Sequence, residues 1–259
     1  MWIPPQAKQV RGVVMAGMTL MERECVTREY LCDFYRLASN RPRRYEWQVH
    51  ALGQFQGDPA WKPSEELTDR LYNMSNRAIA RLLSDPVERD RYQMKDVARL
   101  DAGENLWSAT ILQTCALPDP GAGSLGKAWY DRGIGVRVHM LGEAGTVAYA
   151  GRSPVSRSQG GKEKNKGERS ELPNEAGGTT VLVSRTTPAT VFAALHEPFK
   201  DGRPVIESFR RIQQTAEGIA VAVRGRAGSP VNDRLLFRFG DGYEQPITLA
   251  GDGERFTFA

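Results

Sequence analysis

Residues 44–50 read Arg-Tyr-Glu-Trp-Gln-Val-His, and this short stretch carries a guanidinium, a phenol and an imidazole. An imidazole and a phenol are proton-transfer groups, and a planar guanidinium pairs with a carboxylate through two parallel hydrogen bonds. His50, Tyr45 and Arg44 are therefore the candidate catalytic residues, suited to moving a proton beside an acidic substrate. His50 is also the candidate metal ligand. The surrounding residues extend the candidate surface: Arg36, Arg41 and Arg43 could meet carboxylate or sulfate groups, and Trp47 could stack on a sugar ring. Trp61, Trp107 and Trp129 are further stacking candidates, although Trp47 and Trp107 also fall in apolar rows that suit a core. His196, beside Glu197 and before Pro198, completes the substrate-binding set as a rim or turn residue.

Other chemistries find little support. The chain has three histidines, His50, His139 and His196, without an HExxH motif or any local ligand pair, so the expectation for zinc is either none or weak occupancy at His50. His139 alternates with Arg137 opposite Val136, Val138 and Met140, which an exposed strand face accommodates. Cys25, Cys32 and Cys115 form no CxxC and are read as buried thiols. There is no GxSxG elbow, no GxxxxGK[ST] loop and no GxGxxG fingerprint. The 35 basic and 31 acidic residues leave a net charge of +4, with the arginines scattered, so no nucleic-acid module is expected. No apolar run is long enough to span a bilayer, and the N-terminal stretch has no secretory pattern; localisation stays open.

The elements that must position these residues read as strands. Leu31, Asp33, Tyr35 and Leu37 fall on one face, with Tyr30, Cys32, Phe34 and Arg36 on the other. After a basic turn at 39–44, Tyr45, Trp47, Val49 and Ala51 form an apolar row, and Glu46, Gln48 and His50 project together from the opposite side. From residue 104 onward, short alternating or apolar runs recur between Gly, Pro, Asn and Asp. The pattern predicts an all-β protein, a large antiparallel β-sandwich of stacked sheets forming a single domain over 1–259. Residues 64–100 are read either as a short helix over 65–83, ended at Asp85-Pro86, or as a long connection between strands. Residues 152–178, rich in charge, Ser and Gly, are read as a flexible surface loop.

YLCDFYRLASNRPRRYEWQVHALG at 30–53, GVRVHMLGEAGTVAYAGRSP and TTVLVSRTTPATVFAALHEPFKDG together resemble the sheet domain of the heparinase II/III-like polysaccharide lyases, whose relatives act on alginate and oligoalginate. The likeness runs in order from about residue 13 to 245. It implies an antiparallel sheet domain that accompanies an α/α toroid, and β-elimination on a uronate-containing acidic polysaccharide or oligosaccharide. It also implies that His50 corresponds to a histidine that completes a metal site. The family's HxH-type pair and DPG-like turn lie upstream of that histidine; Asp119-Pro120-Gly121 lies after it and does not take the role. The expectation is a lyase-like sheet domain with few catalytic residues of its own, completed by a toroid-containing partner chain. The alternatives are a noncatalytic carbohydrate-binding or structural module and a small lyase using His50, Tyr45 and Arg44.

Overall fold

The computed structural model describes residues 8–10, 14–15, 18–26, 29–68, 94–113, 133–153, 178–239, 247–251 and 254–258. These form strands and turns only, and the all-β expectation holds. The strands are β1 (Lys8–Val10), β2 (Val14–Met15), β3 (Met18–Val26), β4 (Leu31–Leu52), β5 (Gln54–Gln56), β6 (Lys62–Pro63), β7 (Lys95–Asp101) and β8 (Trp107–Leu112). They continue as β9 (Gly135–Met140), β10 (Val147–Ser153), β11 (Gly178–Phe199), β12 (Ile206–Gln214), β13 (Gly218–Gly225), β14 (Asn232–Arg238), β15 (Ile247–Gly251) and β16 (Glu254–Phe258).

Two 22-residue strands, β4 and β11, pair antiparallel along their length and organise the rest. Their register breaks once: Ala38 and Arg43 of β4 lie opposite Ala189 and Thr187 of β11, so residues 39–42 face Pro188 alone. Proline has no N–H for the ladder, and the surplus residues bend the strand. Tyr45 Oη donates to Ser39 Oγ at 2.8 Å across this bulge. The predicted basic turn at 39–44 is thus a bulge within a continuing strand. Local composition cannot distinguish the two, because a turn and a bulge use the same residues.

At the bend β11 also changes its other neighbour. Its first half pairs with β10 and its last residues with β9, giving one wing β10–β7–β6 and another β9–β8–β5. Gly53, with φ of 123°, turns the chain from β4 into β5, and a Cβ there would lie 2.5 Å from the Leu112 carbonyl oxygen. Only glycine suits that position. Because β5 then pairs with β8, the eleven-stranded sheet curls around an internal core that includes Tyr45, Trp47, Trp61, Trp107, Ile111, Met140, Val181, Val183 and Phe192.

The three-stranded sheet β12–β13–β14 stacks on the other face, which completes the sandwich. Tyr30, Cys32 and Phe34 of β4 and Val191, Ala193 and Leu195 of β11 meet Phe209, Val221, Val223 and Phe237 there. Phe34 and Phe237 are stacked with an interplanar angle of 20°. The predicted alternation of Tyr30, Cys32 and Phe34 against Tyr35 and Leu37 therefore places these residues in two different cores.

Residues 66–68 form a turn in which Leu67 has φ of 64°, so a right-handed helix does not begin there; residues 69–83 of the predicted helix lie outside the described residues. Ser64 Oγ accepts the Glu66 N–H at 3.1 Å, satisfying locally the backbone that a helix start would have used. The same ambiguous stretch ends in a strand, β7, which the helix-like composition before it concealed. The predicted loop at 152–178 begins inside β10 and ends at the start of β11, and residues 154–177 lie outside the described residues. Among the described residues, no helix is long and apolar enough to cross a membrane.

Candidate functional site

Strand alternation separates the predicted site residues. Arg44, Glu46, Gln48 and His50 form an exposed row on one face of β4. Tyr45 and Trp47 point the opposite way and are 5% and 6% exposed within the internal core. Tyr45 therefore cannot join His50 and Arg44 in one catalytic group, and Trp47 offers no platform for a sugar. Arg44 and His50 share a face but lie three strand repeats apart, about 20 Å.

The remaining candidates also disperse. Arg36 lies over the ring of Phe239 at 5.1 Å, against the second sheet rather than near the bulge that carries Arg41 and Arg43. His196 Nε2 is 3.2 Å from Asp33 Oδ1, and Trp47 Nε1 donates to Asp33 Oδ2 at 3.3 Å. This group ties β4 to β11 from within and gives His196 an internal role. His139, expected on an exposed face, is 6% exposed, with Nε2 3.1 Å from Glu197 Oε2. Glu197 also accepts the backbone N–H groups of Val205 and, at 2.7 Å, Ile206, so the pair fixes the start of β12. Cys32 is a buried thiol as expected; Trp129, Cys115 and Asp119 to Gly121 lie outside the described residues.

His50 Nδ1 is 2.7 Å from Thr180 Oγ1, which donates to Ser153 Oγ at 2.6 Å. With the Thr180 proton committed to Ser153, Nδ1 carries the imidazole proton and the lone pair falls on Nε2. Desolvation by the surrounding strands lowers the His50 pKa below the ordinary 6.5 and keeps the ring neutral. Zinc centres use three or four nitrogen, sulfur or carboxylate ligands. The neighbours of His50 named here are hydroxyls, and among the described residues no three His, Cys, Asp or Glu side chains are grouped to hold a metal. The described neighbours of His50 do not by themselves make up a zinc centre.

The same outer face carries a groove that the sequence did not reveal. It has a volume of about 510 Å³ and is lined by Arg44, Glu66, Tyr149, Ser184 and Arg185, with Leu67 and Val147 supplying apolar surface. Arg44 Nε donates to Ser184 Oγ at 3.0 Å, and an Arg44 nitrogen meets Glu46 at 3.1 Å. Tyr149 Oη donates to Glu66 Oε2 at 2.5 Å. That bond lowers the Glu66 pKa, and desolvation followed by the Glu66 contact raises that of Tyr149. Glu66 also receives Arg99, which bridges to Asp101 at 2.7 Å. The phenol is consequently a proton donor at neutral pH. In TVAYAG, Tyr149 alternates with Ala148 and Ala150, which face the internal core; this alternation was the available signal for an outward tyrosine.

Arg185 is among the residues lining the groove, and its side chain is fully buried on the inner side of β11, which pairs it with Tyr45. It donates to Thr146 Oγ1, Thr190 Oγ1 and the carbonyls of Val191 and Leu141 at 2.7–2.9 Å, meets Glu143 at 3.2 Å and lies 4.5 Å over the Phe192 ring. Desolvation lowers its pKa to about 10, and the nearby Glu143 charge opposes that shift. It remains a cation at neutral pH with its donors well used, a fixed positive charge beneath the groove. No family model matches the chain, and a comparison with curated proteins likewise returns no match.

Proposed function

We propose that this chain is the sheet part of a polysaccharide-lyase-like protein and holds a uronate-containing acidic polysaccharide on the outer face of β4. The reading combines the sequence resemblance to heparinase II/III-like lyases with one geometric observation. Arg44 stands at the edge of a polar groove, on the same strand row as His50 and beside the hydroxyls of Ser184 and Tyr149. A guanidinium matches a uronate carboxylate, while the hydroxyls and the apolar patch of Leu67 and Val147 suit a sugar ring.

Holding the polymer is better supported than breaking it. Elimination needs a base at the carbon that loses the proton and an acid at the leaving oxygen, both near hydrogen-bond distance. Tyr149 pairs through Leu182 with Gln48, two strand spacings or about 10 Å from β4, and His50 lies a further repeat along. They do not form one acid–base pair. The reaction then requires groups from another chain or domain, as the toroid-bearing partner would supply. A noncatalytic carbohydrate-binding module is the second reading, favoured because His139 and His196 are both engaged with internal carboxylates.

Titration calorimetry with uronate-containing and neutral oligosaccharides tests the reading. Binding of the uronate series alone, weakened about tenfold or more in Arg44→Ala, is expected from loss of a charge-assisted hydrogen bond. Equal affinity for neutral glycans would defeat it. Ultraviolet absorbance from unsaturated uronate products separates the two readings: turnover by the purified chain supports a self-sufficient lyase, and binding without turnover supports a holding role.

A further inference from the structure

We propose that Cys25 and Cys32 form an oxidation site, joined by a cross-strand disulfide when the chain is exposed to a small-molecule disulfide. Cys25 of β3 and Cys32 of β4 lie directly opposite each other in the antiparallel ladder. Directly opposed residues have α-carbons about 4.5 or 5.5 Å apart, and a disulfide spans about 4.4–6.8 Å between its α-carbons. The register alone therefore brings the two backbones to bridging distance.

That register is set by more than the two cysteines. Nine consecutive pairs, from Met18 with Ser39 to Val26 with Leu31, run without a bulge. On its other side β4 is held by β11, where Leu195 lies opposite Cys32. Three cysteines permit three single bridges, and their spacing in sequence does not choose among them. The ladder selects Cys25 with Cys32. Cys32 is fully buried among Tyr30, Phe34 and Leu195, so its sulfur is shielded from small reductants and a bridge once formed is broken slowly.

Oxidation removes two protons and two electrons from the pair, and a small-molecule disulfide of the glutathione type takes them. One cysteine thiolate attacks it, releasing one small thiol and leaving a mixed disulfide. The second cysteine then attacks the protein sulfur of that intermediate and releases the other small thiol. The product closes the hairpin over residues 26–31. It ties β3, together with its partners β1 and β2, covalently to the strand that carries Arg44 and His50. Disulfides persist in oxidising compartments and are kept as thiols in a reducing cytosol, so the state of this pair follows the compartment. The bridge is independent of the polysaccharide reading, and either can fail alone.

The full chain is equilibrated folded, and separately refolded from denaturant, in buffers of oxidised and reduced glutathione. Thiols are then alkylated in denaturant, and the chain is mapped by mass spectrometry without reduction. Oxidised glutathione is expected to protect two of the three thiols and to yield one linked peptide pair containing Cys25 and Cys32, with Cys115 alkylated. Reduced glutathione should return all three to the alkylated form. The oxidised parent and the Cys115→Ser chain should melt about 4 °C or more above their reduced forms, a difference lost in Cys25→Ser and in Cys32→Ala. The mapping of the parent decides the pairing even where Cys32→Ala fails to fold. Three alkylated thiols after both treatments, or a bridge to Cys115, would overturn the site. A Cys25–Cys32 bridge with no change in melting temperature would overturn its role as a clamp on β3.

Discussion

The two faces of β4 beyond its bulge are made from one alternating stretch, yet they carry opposite burdens. Tyr45 and Trp47 are closed inside the curled sheet, while Arg44, Glu46, Gln48 and His50 stand outside it. The polar groups within the fold are tied to one another, as in Asp33 with His196 and Trp47; of those outside, Arg44 lines a groove. Proximity in sequence is therefore a poor guide to a shared site in a strand. Adjacent residues are the pair most reliably kept apart, because each step reverses the side-chain direction.

Substitutions on the two faces sharpen this contrast. Trp47→Ala should have the largest effect, lowering unfolding free energy by about 3–5 kcal/mol in denaturant titration. Gln48→Ala on the outer row should stay within about 0.5 kcal/mol. Equal losses at these neighbours would erase the distinction between the faces. Glu143→Ala should come next, destabilising by about 3 kcal/mol, the low end for breaking a buried ion pair because the carboxylate side chain is 17% exposed. It removes the acceptor for Thr190 Oγ1 at 2.6 Å and the counter-charge of Arg185. An unchanged unfolding midpoint would show that the remaining partners of Arg185 suffice.

Arg44→Ala should leave stability within about 0.5 kcal/mol while costing about 1.4 kcal/mol or more in uronate binding. His50→Gln gives the smallest signal, in pH dependence. The folded pKa lies below 6.5, so the unfolded chain binds more protons between the folded pKa and that value, and stability rises with pH across this window. The substitution should flatten that rise, measured by unfolding at a series of pH values. An imidazole midpoint above 6.5 in an NMR titration would contradict the desolvated environment of His50.

Much of the fold was legible because burial in strands leaves a period of two. The rows of Tyr30, Cys32 and Phe34 and of Tyr45, Trp47, Val49 and Ala51 could be read directly, and the exposed row ending at His50 followed from them. The continuous strand through 39–44 could not, because its bulge depends on Pro188 in a distant segment. Only short runs were expected after residue 104, yet β11 continues for 22 residues through the polar positions opposite that bulge. In the candidate site, Arg44 and His50 were identified from residue type, whereas Tyr149, Glu66 and Ser184 were not. They come from segments whose meeting is set by sheet pairing and by the turn at 64–68.

By itself, the sequence determined an all-β chain and the side of each strand on which its polar groups stand, since alternation is a local property of the backbone. Tertiary structure decided which groups meet. Pairing across β4, β11 and β10 brought Arg44 and Tyr149 to one groove, and curling of the sheet enclosed Tyr45 and Trp47. Stacking of the second sheet placed His139 and Glu197 beneath β12. These outcomes depend on contacts between residues far apart in the chain, which a strand's own alternation does not encode.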